Sequence, residues 1–291
     1  MSSTRHSALC CSVERYSSCV IDDAACGGDD YGLSGEAPSR EDAEQGALGD
    51  AGLIAVLGAV AGHLPGEIIN RVIGRPDGSY LVRLAEAWYT NTGAVPTGRT
   101  IELSVTPDLP VYDSSPGEPA YAKAETAAWA AIAEKALAGV DQAWTARRRA
   151  QWQDTWARLC ADDPRKANSR EAPSGYVRLN QDSTAFDYAE ALTQLTGRQA
   201  VVRELPAGRG RRRRALRRQI RTGKPVIVST RPATFRGEIM PCRLISTHCY
   251  EVIAVRWRTI GLRNPWGYYH PAPVPLSRLA AVLQPRYATL A

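Results

Sequence analysis

The chain has 291 residues, of which 44% are hydrophobic, enough to bury the core of one large domain or of two lobes. This composition excludes a disordered or a fibrous protein. The net charge of +6 comes largely from clusters of arginine, and it indicates no more than a weak preference for acidic partners.

The seven cysteines do not follow the spacing of a disulfide framework, because Cys10, Cys11, Cys19 and Cys26 are crowded near the N-terminus and the others lie far apart. The N-terminus lacks the charged and then apolar pattern of a Sec signal peptide, and the longest apolar run, at 53–61, is too short to span a bilayer. We therefore expect a soluble protein that has no membrane partner and is either cytoplasmic or exported by a specialised secretion route.

The first part of the chain divides into a leader and a lobe. Residues 1–40 are rich in Ser, Cys, Gly and Asp without apolar periodicity, which predicts a flexible leader or propeptide-like segment. Residues 41–170 are predicted to form a helical lobe. Its predicted elements are a buried helix from Ala51, two paired strands at 79–90 and 100–106, the second of which is broken by Pro107, and helices between residues 121 and 160.

A linker that contains Pro and Ser indicates a lobe boundary near residue 170, and residues 171–291 are predicted to form a β-rich lobe. Its predicted elements are a helix at 186–195 ended by Gly197, a strand at 199–205, a helix at 209–221, a buried strand at 225–230, hairpin strands at 247–257 and 259–267, and a short helix within 273–283. The helix at 209–221 is rich in arginine and amphipathic, and we interpret it as a solvated face or as a docking surface for an acidic partner. Without exposed aromatic residues among its arginines, it does not predict nucleic-acid binding.

The first candidate site residues lie in the turn before the buried helix. Gln45 lies six residues before Ala51, the first residue of that helix. The dipole and free N–H groups of a helix N-terminus lower the pKa of a thiol, and a nearby glutamine amide can help to hold an oxyanion. The alanine at position 51 can use neither effect.

A second group of candidates lies at the ends of the predicted hairpin. His248 opens one strand, and Asn264 ends the next, immediately before Pro265, Trp266 and Gly267. A histidine whose second ring nitrogen is held by an asparagine amide keeps its tautomer, which suits it to deprotonate a thiol and then to protonate a leaving amine. Trp266 could shield this hydrogen bond from water.

Together these segments resemble the calpain-like cysteine proteases, which have the papain fold. QGALGDA at 45–51 is similar to the QGxLGDC box of that family with only the cysteine replaced, LRNPWG at 262–267 is similar to its RNPWG box, and THCYEV at 247–252 occupies the place of its GHAYSV box. The segments WAAIAEKALAGV and FDYAEALTQLTG resemble helices of the family, and the likeness spans roughly residues 40–285.

The resemblance implies an α+β fold with a helical N-terminal lobe, a β-rich C-terminal lobe and a substrate cleft between them. It makes position 51 the nucleophile, Gln45 an oxyanion-hole donor, His248 the general base and acid, and Asn264 the residue that orients His248. It also implies that the substrate cleft is lined by Gly49, Asp50, Gly52, Thr247 and Trp266.

The chain departs from the family at several positions. Gly52 stands where the family usually has tryptophan, and Thr247 stands where it has glycine. The acidic cluster that follows NPWG in the family is replaced here by YYHPAPVP, which removes the expected calcium ligands. We therefore predict no metal, no cofactor and no calcium dependence, and a cleft that is already assembled.

Three explanations account for Ala51: an engineered Cys→Ala substitution, a natural pseudoenzyme, or a misalignment of the motif. We favour the first, because a decayed enzyme has no need to keep Gln45, His248 and Asn264 together. This chain should then be inactive, and Cys249 does not replace the missing thiol, since neighbouring strand residues point to opposite faces.

The sequence thus predicts a cysteine endopeptidase that acts on protein or peptide substrates, bears Ala51 in place of its nucleophile, could process its own leader and serves as a bacterial effector or toxin. An inhibitor or immunity protein is a predicted partner, and nucleic acid is not. The alternatives are a natural pseudoprotease that binds extended peptides, and a deamidase or transglutaminase that uses the same residues, because a fold does not fix a reaction.

Overall fold

The computed structural model describes residues 16–20, 37–112, 121–123, 127–162, 171–181 and 183–291. The helices within these residues are α1 (Ala51–His63), α2 (Pro65–Ile69), α3 (Trp129–Gly139), α4 (Ala146–Asp162), α5 (Gly175–Leu179), α6 (Ala185–Thr196), α7 (Arg209–Arg221) and α8 (Leu279–Val282). The strands are β1 (Tyr16–Val20), β2 (Val72–Gly74), β3 (Tyr80–Thr90), β4 (Gly93–Val105), β5 (Asp108–Tyr112), β6 (Ala200–Glu204), β7 (Val226–Thr230), β8 (Cys249–Val255), β9 (Thr259–Arg263), β10 (Val274–Pro275) and β11 (Leu283–Leu290).

Nine of these strands form one antiparallel sheet in the order β10-β9-β8-β7-β11-β6-β4-β3-β2. The fold is therefore α+β, as predicted, with helices packed on a large antiparallel sheet. The paired strands β3 and β4 and the hairpin of β8 and β9 lie where the sequence predicts them. The strands of the first predicted lobe belong to the same sheet as those of the second.

The strand β11 is the main element that the sequence analysis missed, since it assigned this tail only a short helix. That helix, α8, occupies four residues, and the chain then enters the middle of the sheet between β6 and β7. Pro285 interrupts the apolar pattern, and it lies where the pairing of β11 with β7 shifts register, between Leu283 and Tyr287. A proline is tolerated at such an irregularity because no ladder hydrogen bond is lost there. In the sequence alone, however, a proline argues against a central strand, so β11 was not predicted.

Part of the predicted flexible leader has regular structure. The strand β1 pairs antiparallel with β5, which lies beyond the predicted strand break at Pro107. The rest of the leader up to residue 36 lies outside the described residues, and so do Cys10, Cys11 and Cys26. Residues 16–20 thus form a strand within the predicted leader, and the leader as a whole stays a prediction.

The hydrophobic core forms two clusters. The first surrounds α1 and includes side chains of α3, β3, β4 and α6, and the second lies between α7, β7, β8, β9 and α8. The helix α6 contributes Tyr188, Leu192 and Leu195 to the first cluster. The first cluster therefore extends past the predicted lobe boundary near residue 170. The division into two papain-like lobes stays a prediction.

The helix α1 lies at the centre of the first cluster. Its residues from Gly52 to Ala61 are all buried, so the helix is enclosed on every side, as its uninterrupted apolar sequence predicts. It packs against α6 on one side and β8 on the other. Within the described residues, no helix is long and apolar enough to cross a membrane.

A buried ion pair fixes the segment before α1 to the sheet. The Arg40 guanidinium donates to Glu251 on β8 at 2.5 Å and to the carbonyl of Gly62 at 3.1 Å. A Cβ atom at Gly62 would lie 2.3 Å from Arg40 Nη2, so only glycine admits this arginine beside α1. Burial raises the pKa of Glu251 to about 7, while Arg40 and Arg263 oppose that shift. Residue 40, the last of the predicted leader, is therefore part of the folded core.

Candidate active site

The structure brings His248 and Asn264 together at one end of the β8–β9 hairpin. Glu251 pairs with Arg263 in the antiparallel register, so the start of β8 and the end of β9 lie at the same end of the hairpin. The His248 Nε2 lies 2.9 Å from the Asn264 Oδ1, and both side chains are buried. An amide oxygen can only accept, so Nε2 carries the proton and Nδ1 is left as a basic nitrogen.

Aromatic rings and backbone groups hold this pair in place. The ring centroids of Trp266 and His248 lie 4.9 Å apart, and the rings of Tyr250 and His248 are in a T-shaped arrangement with their centroids 5.0 Å apart. The Asn264 Oδ1 also accepts from the backbone N–H of Trp266 at 3.1 Å. Burial lowers the pKa of His248, and the hydrogen bond that His248 donates to Asn264 opposes this shift. The imidazole is therefore neutral near pH 7, the state that a general base needs.

Thr247 adopts a backbone conformation that favours glycine. Its φ angle is +51°, in the left-handed region, and its N–H donates to the carbonyl of Arg231 at 3.2 Å. This is the position at which the resemblance implies glycine. The substitution of threonine retains the turn that directs His248 into the site, at a cost in local strain.

The turn before α1 presents backbone N–H groups beside Gln45. The first hydrogen bonds of α1 run from Leu53 and Ile54 to the Asp50 carbonyl, at 2.8 and 3.2 Å, and the N–H of Ala51 precedes them. Such N–H groups at a helix N-terminus have no partner within the helix and attract negative charge. The Gln45 amide is buried and donates to the Leu48 carbonyl at 2.5 Å, while its Oε1 has no partner. One amide N–H of Gln45 thus remains for an oxyanion.

One backbone hydrogen bond joins this turn to the histidine and asparagine loop. The N–H of Gln45 donates to the carbonyl of Pro265, the residue after Asn264, at 2.8 Å. In the adjoining residues, a Cβ atom at Gly267 would lie 2.2 Å from the Glu44 carboxyl group. The two candidate loops, which are more than 200 residues apart in the sequence, are therefore in direct contact.

Replacing Gly267 by alanine tests this contact. We expect Gly267→Ala to lower the free energy of unfolding by about 1–3 kcal/mol, because the added methyl group displaces Glu44 and the φ angle of +78° disfavours alanine. Urea denaturation measures the change. Gly66→Ala is the matched control, since a Cβ atom there meets nothing within 4 Å and its φ is ordinary. Equal losses in both variants would contradict the contact.

Asp50 is a buried carboxyl group directly before position 51. Both of its oxygens are buried without a hydrogen-bond partner, and burial raises its pKa to about 8. Burial also raises the pKa of Glu134, and the proximity of Asp50 adds to this shift. Asp50 is therefore neutral near pH 7, so it places no negative charge beside the nucleophile position. Asp50 is predicted from the sequence to line the cleft, but its protonation is not.

Tyr188 on α6 is a site residue that the sequence analysis missed. Its hydroxyl lies 2.7 Å from the Cys249 Sγ and 3.0 Å from the Ser229 Oγ, so it joins α6 to β7 and β8. A Cβ atom at Gly52 would lie 2.2 Å from its ring, which explains why a large residue is absent at position 52. Burial raises the pKa of the Cys249 thiol, so it is a poor nucleophile.

A cavity of about 540 Å³ lies beside the start of α1. Its walls include Asp50 and Leu53 from the first turn of that helix, Trp144, and Phe186 and Tyr188 from α6. The cavity is large enough for a bulky side chain, and most of its wall is apolar or aromatic. No sequence pattern indicated it, because α4 and α6 meet only through the fold.

The segment after Gly267 does not fit a calcium ion. Residues 268–275 contain no carboxylate, and calcium requires several oxygens that converge on one point. Among the described residues, no group of three or more His, Cys, Asp or Glu side chains lies close enough to hold a metal. We derive no step of the chemistry through calcium.

A histidine hydrogen-bonded to an asparagine, in a loop that contacts the turn before a buried helix, is an arrangement that cysteine peptidases use. The chain matches the family model described as calpain family cysteine protease over residues 29–271. This match covers most of the chain, so the chain belongs to the calpain family of cysteine proteases. No curated protein matches the chain.

Proposed function

We propose that this chain is the nucleophile-free form of a calcium-independent, calpain-type cysteine endopeptidase, in which position 51 carries cysteine when active. The observation that supports it most is the hydrogen bond of 2.9 Å between His248 and Asn264, in a loop joined to Gln45 through the carbonyl of Pro265. An engineered Cys→Ala substitution is the simplest explanation of Ala51, since Gln45, His248 and Asn264 are all retained.

The chemistry follows from the arrangement of these groups. His248 Nδ1 takes the proton of a thiol at position 51, and the thiolate attacks the carbonyl carbon of a peptide bond. The oxyanion that forms is held by the Gln45 amide and the N–H of residue 51. His248 returns the proton to the leaving amine, which departs as the carbon–nitrogen bond breaks, and an acyl-enzyme remains.

Water completes the cycle. His248 Nδ1 removes one proton from a water molecule, whose oxygen attacks the acyl carbon. The carbon–sulfur bond then breaks, the proton passes to the sulfur, and the carboxylic acid product leaves. Reversion of Ala51 to cysteine, followed by an assay of peptide cleavage, tests this proposal.

The protonation of His248 provides a second test. In the present chain burial lowers the pKa of His248, so the imidazole becomes charged only below its ordinary value of 6.5. In an Ala51→Cys variant, a thiolate close to Nδ1 stabilises the imidazolium, so we expect the pKa of His248 to be higher than in the present chain. Titration of the imidazole resonances by NMR measures both values. An unchanged pKa would show that position 51 and His248 do not form an ion pair.

The wider biological expectations stay predictions. Self-processing of residues 1–40, an effector or toxin role, and an inhibitor or immunity partner rest on the sequence reasoning alone. The rival functions, a peptide-binding pseudoprotease and a deamidase or transglutaminase, use the same residues and are separated from proteolysis by the products of the Ala51→Cys variant.

A further inference from the structure

The helix α7 carries an arginine face that the proposed chemistry does not use. Eight of its 13 residues are arginine. A groove of about 730 Å³ runs along this helix, bordered by Trp257 from the turn between β8 and β9. The arginines that line it, here called the arginine groove, are Arg209, Arg213, Arg214, Arg217, Arg218 and Arg221.

The sequence around these arginines contains no acidic residue. The chain contains no Asp or Glu between Glu204 and Glu238, and within the part of the chain that the structure describes no groove arginine forms an ion pair. Arg213 and Arg217, like Arg217 and Arg221, repeat at a spacing of four residues, which places like charges side by side and destabilises a helix. Leu216 and Arg212 hold the helix on the domain from its buried side. The groove arginines therefore cost stability in the absence of a bound anion.

The extent of the positive charge indicates a short acidic segment of polypeptide rather than a nucleic acid. The eight arginines of α7 exceed the net charge of +6, so the rest of the chain is slightly negative. A helix of this length covers about 20 Å, so a longer polyanion would pass beyond the positive surface. Proteins that bind single strands stack bases on several aromatic rings, whereas Trp257 is a single ring and Arg213 covers one face of it at 4.6 Å.

We propose that the arginine groove is a docking site for an acidic segment of a partner protein, whose Asp and Glu carboxylates pair with the guanidinium groups. Arginine suits this role, because its planar fork matches a carboxylate with two hydrogen bonds. The proposal does not depend on the proposed function, since binding requires no nucleophile. The groove borders the turn of the β8–β9 hairpin, the end opposite to His248 and Asn264, so its occupant leaves the candidate active site open.

Binding can be measured on the chain as it stands, with Ala51. A fluorescent peptide of about eight residues rich in Glu, long enough to follow the groove, is titrated with the protein in 50–150 mM salt, on the order of physiological ionic strength. A peptide of the same length with Gln in place of Glu, and an oligothymidine of the same net charge, are titrated in parallel. We expect the Glu peptide to bind most tightly, with an affinity that falls as salt rises.

Two triple variants distinguish binding at the arginine groove from attraction to the net positive charge of the protein. Arg214→Gln with Arg217→Gln and Arg221→Gln should weaken binding of the Glu peptide by about tenfold or more, because each loses a charge-assisted hydrogen bond. Arg149→Gln with Arg211→Gln and Arg236→Gln removes the same charge outside the groove and should change the affinity less than about twofold. Circular dichroism and thermal melting confirm that both variants are folded.

The outcomes that overturn the proposal are specific. Tighter binding of oligothymidine than of the Glu peptide at equal salt would assign the groove to nucleic acid. Equal weakening in both triple variants would show attraction to net charge without a site. Absence of binding to the Glu peptide at low salt would remove the docking role, while leaving the peptidase proposal intact.

Discussion

An Ala51→Cys variant is expected to cleave an unfolded protein substrate, whereas the present chain leaves it intact. In the proposed mechanism cysteine supplies the nucleophile, while the Gln45 amide and the N–H of residue 51 hold the oxyanion and His248 acts as the base. The start of α1 favours the thiolate at that position, and the neutral Asp50 does not oppose it. Gel analysis and mass spectrometry of the products measure the gain.

The controls for this variant address the base and the nucleophile separately. Adding His248→Ala to the Ala51→Cys variant should reduce turnover by about 10³–10⁴-fold or more, because the thiol then has no base. Ala51→Ser should stay inactive, since a hydroxyl at that position is far less acidic than a thiol. A folded Ala51→Cys variant that cleaves neither proteins nor its own leader would favour the pseudoprotease. Products that show ammonia loss without chain cleavage would favour deamidation.

Replacing Arg40 by methionine is expected to lower the free energy of unfolding far more than replacing an arginine of an exposed ion pair. Arg40 is the ion-pair partner of Glu251, whose side chain is fully buried, and removal of one member of a buried pair costs about 3–5 kcal/mol. Arg83→Met is the matched control, because the pair of Arg83 with Glu102 is about half exposed and should contribute about 1 kcal/mol or less. Urea denaturation measures both variants.

The pH dependence of that loss has a definite sign. The pKa of Glu251 in the folded state is about 7, above its unfolded value of 4.5, so folding is favoured while Glu251 is protonated and loses this contribution as the pH rises through 7. Without Arg40 the folded pKa rises further. The Arg40→Met penalty should therefore be small at pH 5 and largest at pH 8. The double variant with Glu251→Leu should recover most of the loss, and an equally unstable double variant would contradict the ion-pair explanation.

The sequence predicted the parts of the site that depend on local order. Two strands joined by a short turn must be antiparallel, so the predicted hairpin implies that His248 and Asn264 lie close together. The buried helix was predictable for the same reason, since its apolar run is uninterrupted and ends at His63, just before Pro65. The family resemblance supplied the roles, which the present geometry accommodates and which stay predictions until tested.

The parts that the sequence did not predict depend on contacts between distant segments. Tyr188 meets Cys249 and Gly52 only because α6 packs between α1 and the sheet, and Asp50 is protonated only because it is buried there. Similarly, Trp257 borders the arginines of α7 because the β8–β9 turn folds against that helix. Neither hydrophobic periodicity nor motif spacing predicts contacts between segments that are distant in the sequence.

The central position of β11 makes the continuity of the sheet depend on residues 283–290. Among the described strands, β11 is the one that lies between β7 and β6 and pairs with both. Removal of this strand would leave β6 and β7 with unpaired edges in the middle of the domain. Such open edges pair readily with other chains, so a variant that lacks residues 283–290 is expected to aggregate.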